Sequence, residues 1–107
     1  MEMSNTRLEK LLEFELEQPQ DLFIKYALAM EYLGLGKIEM ATGLFNEVIE
    51  KDAHYVAAYY QLGKILESKG NETEAIQIFE KGLEEAQLKR DMKTVNEFRT
   101  AIEELSF

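Results

Sequence analysis

The stretch 59-YYQLGKILESKG-70 has the most informative residue pattern in this chain. Its apolar and small residues recur at the i, i+3, i+4, i+7 spacing of one helix face, at Tyr59, Leu62, Gly63 and Leu66. Gly70 follows this pattern and can take the left-handed conformation that closes a helix. The stretch therefore predicts an amphipathic helix. It also raises a question, because Gly63 lies in the middle of the apolar face although glycine costs a helix about 1 kcal/mol relative to alanine.

The same pattern occurs 34 residues earlier in the chain. The identities at this spacing are Tyr26 with Tyr60, Leu28 with Leu62, Gly36 with Gly70, Ala41 with Ala75, and Phe45 with Phe79. They fall on apolar-face and turn positions, whereas the surface residues between them differ. A period of this length is typical of repeat architectures. Each copy therefore predicts a helix, a tight turn and a second helix.

The second helix of each copy has its own apolar stripe. The inward residues are Ala41, Leu44, Phe45, Val48 and Ile49 in the first copy, and Ala75, Ile78, Phe79, Gly82, Leu83 and Ala86 in the second. Asn71 and Glu74 have the spacing of a capping box at the start of the later helix. Leu28, Ala29 and Tyr32 form the stripe of the first helix in the first copy.

Two more helices flank the copies. Thr6 and Glu9 have capping-box spacing, and a predicted helix over 4–17 ends before Pro19. Asp91 caps a predicted helix over 91–105, which has Met92, Val95, Phe98 and Ile102 inward and also carries Leu105. No stretch alternates with period two for long enough to form a strand. We expect one all-α domain over 1–107 with five or six helices, its two copies at 22–55 and 56–89.

Composition narrows the class of function. The 107 residues include no cysteine and carry a formal net charge of −9. Clustered lysine and arginine, which bind phosphate backbones, are absent from the sequence, so we expect neither a nucleic-acid partner nor an anionic membrane surface. No apolar run approaches the roughly 18 residues that span a bilayer, and the first ten residues lack the apolar core of a signal peptide. A cytoplasmic location is the expectation.

Candidate residues for chemistry are few. The run 34-GLGK-37 faintly resembles a phosphate loop, but Glu31 and Ile38 occupy positions where that motif needs glycine and serine or threonine. The only histidine, His54, lies beside Asp52, and the sequence offers no set of four metal ligands. The simpler interpretation is that Asp52 caps the next helix and His54 is exposed in its first turn. Glu9, Glu13 and Glu17 form a solvated stripe. We expect no enzyme activity and no cofactor.

The stretch "YYQLGKIL" followed by "AIQIF" resembles the tetratricopeptide repeat, a helix-turn-helix unit of 34 residues. "KYALAMEY" followed by "ATGLF" is a looser match, with Lys25 at the aromatic position and Ala29 at the glycine position. Pro19 falls in the family's proline register, whereas Ala53 and Gln87 stand there in the later copies. The resemblance implies an α-solenoid of antiparallel hairpins.

The resemblance also suggests why Gly63 is a glycine. Gly63 and Ala29 would lie where the two helices of a hairpin approach most closely, facing Ala75 and Ala41. Large neighbours such as Phe79 and Tyr59 could then interlock. Burial of a phenylalanine, worth roughly 1.5–3 kcal/mol, would offset the helix penalty.

In such arrays, the first helix of each repeat lines a groove that binds a peptide or a helix. The implied groove residues are Phe23, Tyr26, Met30 and Leu33, then Ala57, Tyr60, Lys64 and Glu67, and from the last helix Lys93, Asn96 and Thr100. Aromatic residues and methionine favour an apolar or amphipathic protein segment. Tyr26 and Met30 stand where a clamp for a terminal carboxylate would need polar groups. Alternatively, some of these residues pack against the N-terminal helix as core.

Self-association is the other hypothesis. Two repeats are fewer than the three or so that usually form a stable array. The flanking helices would supply the missing cover, and the C-terminal helix has the polar outer face of a cap. If that cover is incomplete, we expect a homodimer formed through a terminal helix or through the aromatic groove.

Overall fold

A computed structural model of the protein describes residues 5–106. Within that range the chain forms helices and no strand, which confirms the all-α prediction. The helices are α1 Thr6–Glu17, α2 Leu22–Gly34, α3 Ile38–Lys51, α4 Val56–Ser68, α5 Glu72–Leu88 and α6 Met92–Leu105. Residue 4, where the first helix was predicted to begin, lies outside the described residues.

The described residues divide into two compact units, with the boundary between Lys51 and Asp52. In the first unit, α2 packs against both α1 and α3. In the second unit, α5 packs against both α4 and α6. Each unit is therefore built around one central helix.

Three helix ends share the same left-handed closure. Gly36 and Gly70 have φ angles of 78° and 81°, and the residue after each donates its backbone N–H back across the turn. Lys37 N–H donates to the Tyr32 carbonyl at 2.9 Å, and Asn71 N–H donates to the Leu66 carbonyl at 2.9 Å. These bonds confirm the predicted glycine turns. The third end uses Arg90, at φ 57°, in place of a glycine.

The helix starts correct several predictions. Asn5, not Thr6, caps α1, because its Oδ1 accepts a hydrogen bond from the Leu8 N–H at 2.9 Å. Asn71 stands at the N-cap of α5, as predicted, but its side chain makes no capping hydrogen bond. The prediction of a capping box is therefore wrong. Asp91 does cap α6, accepting from the Thr94 N–H at 3.2 Å.

Asp52 does not cap α4, because the N-cap of that helix is Tyr55. The Asp52 carboxylate instead accepts a hydrogen bond from the backbone N–H of His54 at 2.9 Å. His54 therefore lies in the loop before α4 rather than in its first turn. The predicted exposure of its side chain is confirmed.

The core of the first unit contains the predicted stripes. Its fully buried members include Leu28, Ala29, Ala41, Phe45 and Val48, whereas Leu44 and Ile49 are half-buried. Lys25, at the position where the family has an aromatic residue, is also buried, with 6% of its surface exposed. Its Nζ contacts Glu15 of α1 at 2.9 Å and Glu47 of α3 at 3.4 Å. One buried ammonium thus links all three helices.

The core of the second unit is built on two glycines. A side chain at Gly63 would meet the ring of Phe79, and one at Gly82 would meet the ring of Phe98. Both phenylalanines are fully buried, and their ring centroids lie 6.2 Å apart. This confirms the close approach expected at Gly63. On α6 the prediction for Met92 is wrong, because 59% of this residue is exposed.

Candidate functional site

The face of α2 that carries the predicted groove residues has mixed burial. Phe23 is 69% exposed and Met30 is 36% exposed, whereas Tyr26 and Leu33 are half-buried. The Tyr26 ring meets Phe45 of the core edge to face, with centroids 5.6 Å apart. Tyr26 thus belongs partly to the core, while Phe23 and Met30 present apolar surface to solvent.

The contacts between α1 and α2 lie elsewhere on α2. Glu31 accepts a hydrogen bond from the Asn5 amide at 2.9 Å and pairs with Arg7 at 3.0 Å, and Lys25 pairs with Glu15. Helix α1 therefore leaves Phe23 largely uncovered.

The second unit has a pocket of about 440 Å³ between α4 and α6, open to solvent. Its lining residues are Tyr60, Lys93, Asn96, Glu97, Thr100, Ala101 and Glu104. Tyr60 is half-buried, and its ring packs on Phe79 and Phe98, with centroid distances of 5.8 and 5.7 Å. Phe79 and Phe98 occupy the space next to Gly63 and Gly82. The close packing of the core therefore also supports the ring of Tyr60 in the pocket.

The predicted residues that meet in this pocket are Tyr60 and Asn96, together with Lys93 and Thr100. Lys64 does not line it. Its ammonium lies 3.2 Å from Glu67, one turn along the same helix. Ala57 is exposed outside the pocket.

Sequence reasoning missed three lining residues, Glu97, Ala101 and Glu104. Glu97 belongs to the polar outer face that the sequence predicts for the C-terminal cap. The spacing Lys93, Glu97, Thr100, Glu104 nevertheless follows one helical face, so the position of Thr100 could have identified both carboxylates.

The pocket combines an aromatic side chain with polar groups and charges. The Asn96 amide can donate and accept hydrogen bonds, and the Thr100 hydroxyl can do the same, which are the groups that peptide backbones require. Within residues 5–106, Lys93, Glu97 and Glu104 form no ion pair with one another or with a neighbour. The arrangement therefore suits an amphipathic segment, with apolar contact at Tyr60 and polar or charged groups beside it.

A second cavity, of about 310 Å³, lies on the first unit and is lined mainly by apolar side chains. Its residues are Leu12, Glu15, Leu28, Tyr32, Glu39, Met40, Gly43 and Leu44. Leu12 and Met40 are 38% and 50% exposed. None of the predicted groove residues lines this cavity.

His54 makes a contact that the sequence did not reveal. Its Nδ1 lies 2.6 Å from the Glu85 carboxylate of α5. The hydrogen bond and the charge of Glu85 raise the pKa of His54 above its ordinary value, and Asp52 adds to this effect. Among residues 5–106, no cluster of three or more histidine, cysteine or acidic side chains could hold a metal ion. Over the same range, no helix has both the length and the apolar character to cross a bilayer.

Comparison with known proteins agrees with this architecture. The tetratricopeptide repeat family profile matches residues 56–87. The chain is 35% identical to a tetratricopeptide repeat domain protein from Salinibacter ruber, whose solution structure it matches with a TM-score of 0.78 over 83% of this chain and 90% of that one.

Two further solved structures share the fold at lower identity. A protein from Bordetella parapertussis is 24% identical, with a TM-score of 0.83 over 97% of this chain and 90% of that one. MamA is 19% identical, with a TM-score of 0.66 over 92% of this chain and 66% of its own. No curated protein sequence matches the chain. The repeat pattern, the helix hairpins and the Salinibacter relative together show that the chain belongs to the tetratricopeptide repeat family, whose members are in general non-catalytic scaffolds that bind proteins or peptides.

Proposed function

We propose that this chain is a non-catalytic module that binds an apolar or amphipathic segment of a partner protein. The carrying observation is the pocket of the second unit, where Tyr60 and Asn96 meet with Thr100 and three charged residues. An aromatic ring supplies apolar contact area at small entropic cost, and the flanking polar groups fix the orientation of a bound segment. A cytoplasmic location stays a prediction, supported by the absence of cysteine.

The exposed face of α2 supports the same function independently. Phe23 and Met30 lie seven residues apart, which places them on one side of the helix, two turns from each other. Exposed aromatic and methionine side chains are enriched where proteins meet. We propose that a partner also contacts this face through apolar side chains.

The test is a selection of peptides from a random displayed library, followed by calorimetric titration of the selected peptides. Thr100→Arg places a long side chain in the pocket, and Gln77→Arg places the same side chain on an exposed position of α5. Peptides that bind wild type and Gln77→Arg equally, but bind Thr100→Arg at least tenfold more weakly, would support the pocket. Equal binding to all three proteins, or a selection that yields no peptide, would refute it.

Self-association is a second candidate, and α1 favours it. No residue of this helix is fully buried, and Phe14 and Leu16 are 46% and 83% exposed. A second copy that covers these side chains would remove them from water, at roughly 25 cal/mol for each Å² of apolar surface. Sedimentation velocity of wild type and Leu16→Glu tests this. A concentration-dependent dimer that the substitution abolishes would support it, whereas a monomer throughout the micromolar range would exclude it.

A further inference from the structure

The charges of the pocket are arranged along one face of α6. Lys93 stands near the start of the helix, Glu97 is one turn further on, and Glu104 is two turns beyond Glu97. Seven residues at a rise of 1.5 Å separate the two glutamates by about 10 Å along the axis. Two long side chains at that spacing can converge on a group placed above Thr100, between them.

Neither of the two lysines near the pocket, Lys64 and Lys93, forms an ion pair with Glu97 or Glu104. Lys64, one turn after Tyr60 on α4, is already paired with Glu67 at 3.2 Å. Lys93 forms no ion pair among the described residues, and it lies on the far side of Glu97 from Glu104. The pocket therefore has one more negative charge than positive, and its negative end is the Glu104 end. The formal net charge of −9 on the whole chain adds to the attraction for a cationic group.

We infer that the partner segment carries an arginine or lysine whose charged end lies between Glu97 and Glu104, with its stem against Tyr60. This inference rests on the proposed function and names the chemistry of the partner at that same pocket. A tyrosine ring attracts a cation to its face, and a carboxylate accepts hydrogen bonds from a guanidinium in a bidentate geometry. Lys93 repels a second cation and so sets the direction in which a basic segment lies along α6.

The test uses two small probes of similar size, of which only one is charged. N-acetyl-argininamide carries the guanidinium, and N-acetyl-citrullinamide has nearly the same shape without the charge. Each is titrated to tens of millimolar while the backbone amide resonances of Asn96, Thr100 and Ala101 are followed by NMR. We expect saturable shifts with the arginine probe, and about two- to fivefold weaker binding of the citrulline probe, the scale of an exposed ion pair.

Charge-matched variants locate the effect. Glu97→Gln/Glu104→Gln removes the two pocket carboxylates, and Glu84→Gln/Glu103→Gln removes two exposed carboxylates that do not line the pocket. We expect the first variant to bind both probes equally and the second to behave like wild type. Equal shifts from both probes on wild type, no shift from either, or the same loss in both variants would overturn the inference.

Failure of the cationic-partner inference can be distinguished from failure of the proposed peptide site. Selected peptides that contain no basic residue, yet lose binding to Thr100→Arg, would refute the cationic partner and leave the peptide site standing. Selected peptides that bind Thr100→Arg as tightly as wild type would refute both the cationic partner and the peptide site in the pocket.

Discussion

The ring of Phe79 occupies the space that any side chain at Gly63 would need. The Phe79 Cζ would lie 2.7 Å from a Cβ built on Gly63, closer than such atoms approach in proteins. Phe79 has no exposed surface, and Tyr60 packs on it at a centroid distance of 5.8 Å. The absence of a side chain at Gly63 therefore supports both the core and the tyrosine that lines the pocket.

This contact predicts opposite effects at two glycines. Gly63→Ala is expected to lower the free energy of unfolding by about 1–3 kcal/mol, because the buried Phe79 ring must move, and Gly63→Leu should lower it further. Gly43→Ala, in the middle of α3, is the control, because apart from its chain neighbours and the backbone of its own helix no atom lies within 4 Å of the added carbon. It should raise stability by up to about 1 kcal/mol. Urea unfolding followed by circular dichroism measures both, and a Gly63→Ala protein as stable as wild type would contradict the close-packing account.

Lys25 is expected to stabilise the first unit. Lys25→Met keeps the buried stem but removes the contacts with Glu15 and Glu47, and should cost about 1–2 kcal/mol, since both carboxylates remain partly solvated. Exposed Lys37→Met should change stability by less than about 0.5 kcal/mol. The melting temperatures of the two variants are compared by thermal unfolding. Equal values would contradict a stabilising role for the buried Lys25 ammonium.

The hydrogen bond to Glu15, which exceeds the opposing effect of burial, raises the pKa of Lys25 above its ordinary value. Its contribution to stability is therefore complete below the pKa of an unfolded lysine. That contribution is lost as pH rises through the higher pKa of the folded protein. Wild type should lose more stability than Lys25→Met above about pH 10.4.

The pair of His54 and Glu85 predicts a pH-dependent contact. The hydrogen bond to Glu85 is the largest cause of the raised pKa of His54, and nearby Lys89 opposes it weakly. The stabilisation is complete below about pH 6.5 and is lost as pH rises through the folded value. NMR titration of the imidazole protons should give a midpoint above 6.5 in wild type. Glu85→Gln should lower that midpoint, and an unchanged midpoint would show that the pair does not persist in solution.

The two helix starts in the second unit should respond differently to truncation. Asp91→Ala removes an acceptor that bonds the Thr94 N–H at 3.2 Å and its hydroxyl at 2.7 Å. Asn71→Ala removes a side chain that makes no capping bond. Differential scanning calorimetry should therefore show a lower melting temperature for Asp91→Ala than for Asn71→Ala. The reverse order would contradict the assignment of the caps.

The carboxylate of Asp91 has a lowered pKa, chiefly because it accepts a hydrogen bond from the Thr94 hydroxyl. Its stabilising effect is present above the unfolded pKa of about 3.9 and disappears as pH falls through the lower folded value. The difference between Asp91→Ala and wild type should therefore become smaller in strong acid.

Phe23 is expected to matter for binding rather than for stability. Its side chain is 69% exposed, so Phe23→Ala should change the free energy of unfolding by less than about 0.5 kcal/mol. Peptides selected on the whole chain should bind this variant at least fivefold more weakly by calorimetry. Leu88→Ala, at a residue 73% exposed on α5, is the control and should bind as wild type does. If the peptides bind both variants equally, the exposed face of α2 does not contribute to their binding.

Patterns that are local in the chain predicted the helix faces and helix ends correctly. The stripe through Leu62 and Gly63 gave the correct helix face, and Gly36 and Gly70 end their helices in the left-handed conformation. Predictions that required a side chain to choose among nearby partners were less successful. Asp52 bonds the His54 N–H instead of capping α4, because the helix begins later than the carboxylate can reach.

Sequence patterns alone predicted the helices, their hairpin pairing and most residues of the core, because the 3.6-residue period and the glycine turns are properties of short segments. The contacts of Lys25 with Glu15 and Glu47, the contact of His54 with Glu85, and the set of charges around Tyr60 became evident from the folded structure. These contacts link residues distant in sequence. Their distances depend on how closely the helices of each unit pack. In the second unit, the aromatic rings lying against Gly63 and Gly82 set that approach.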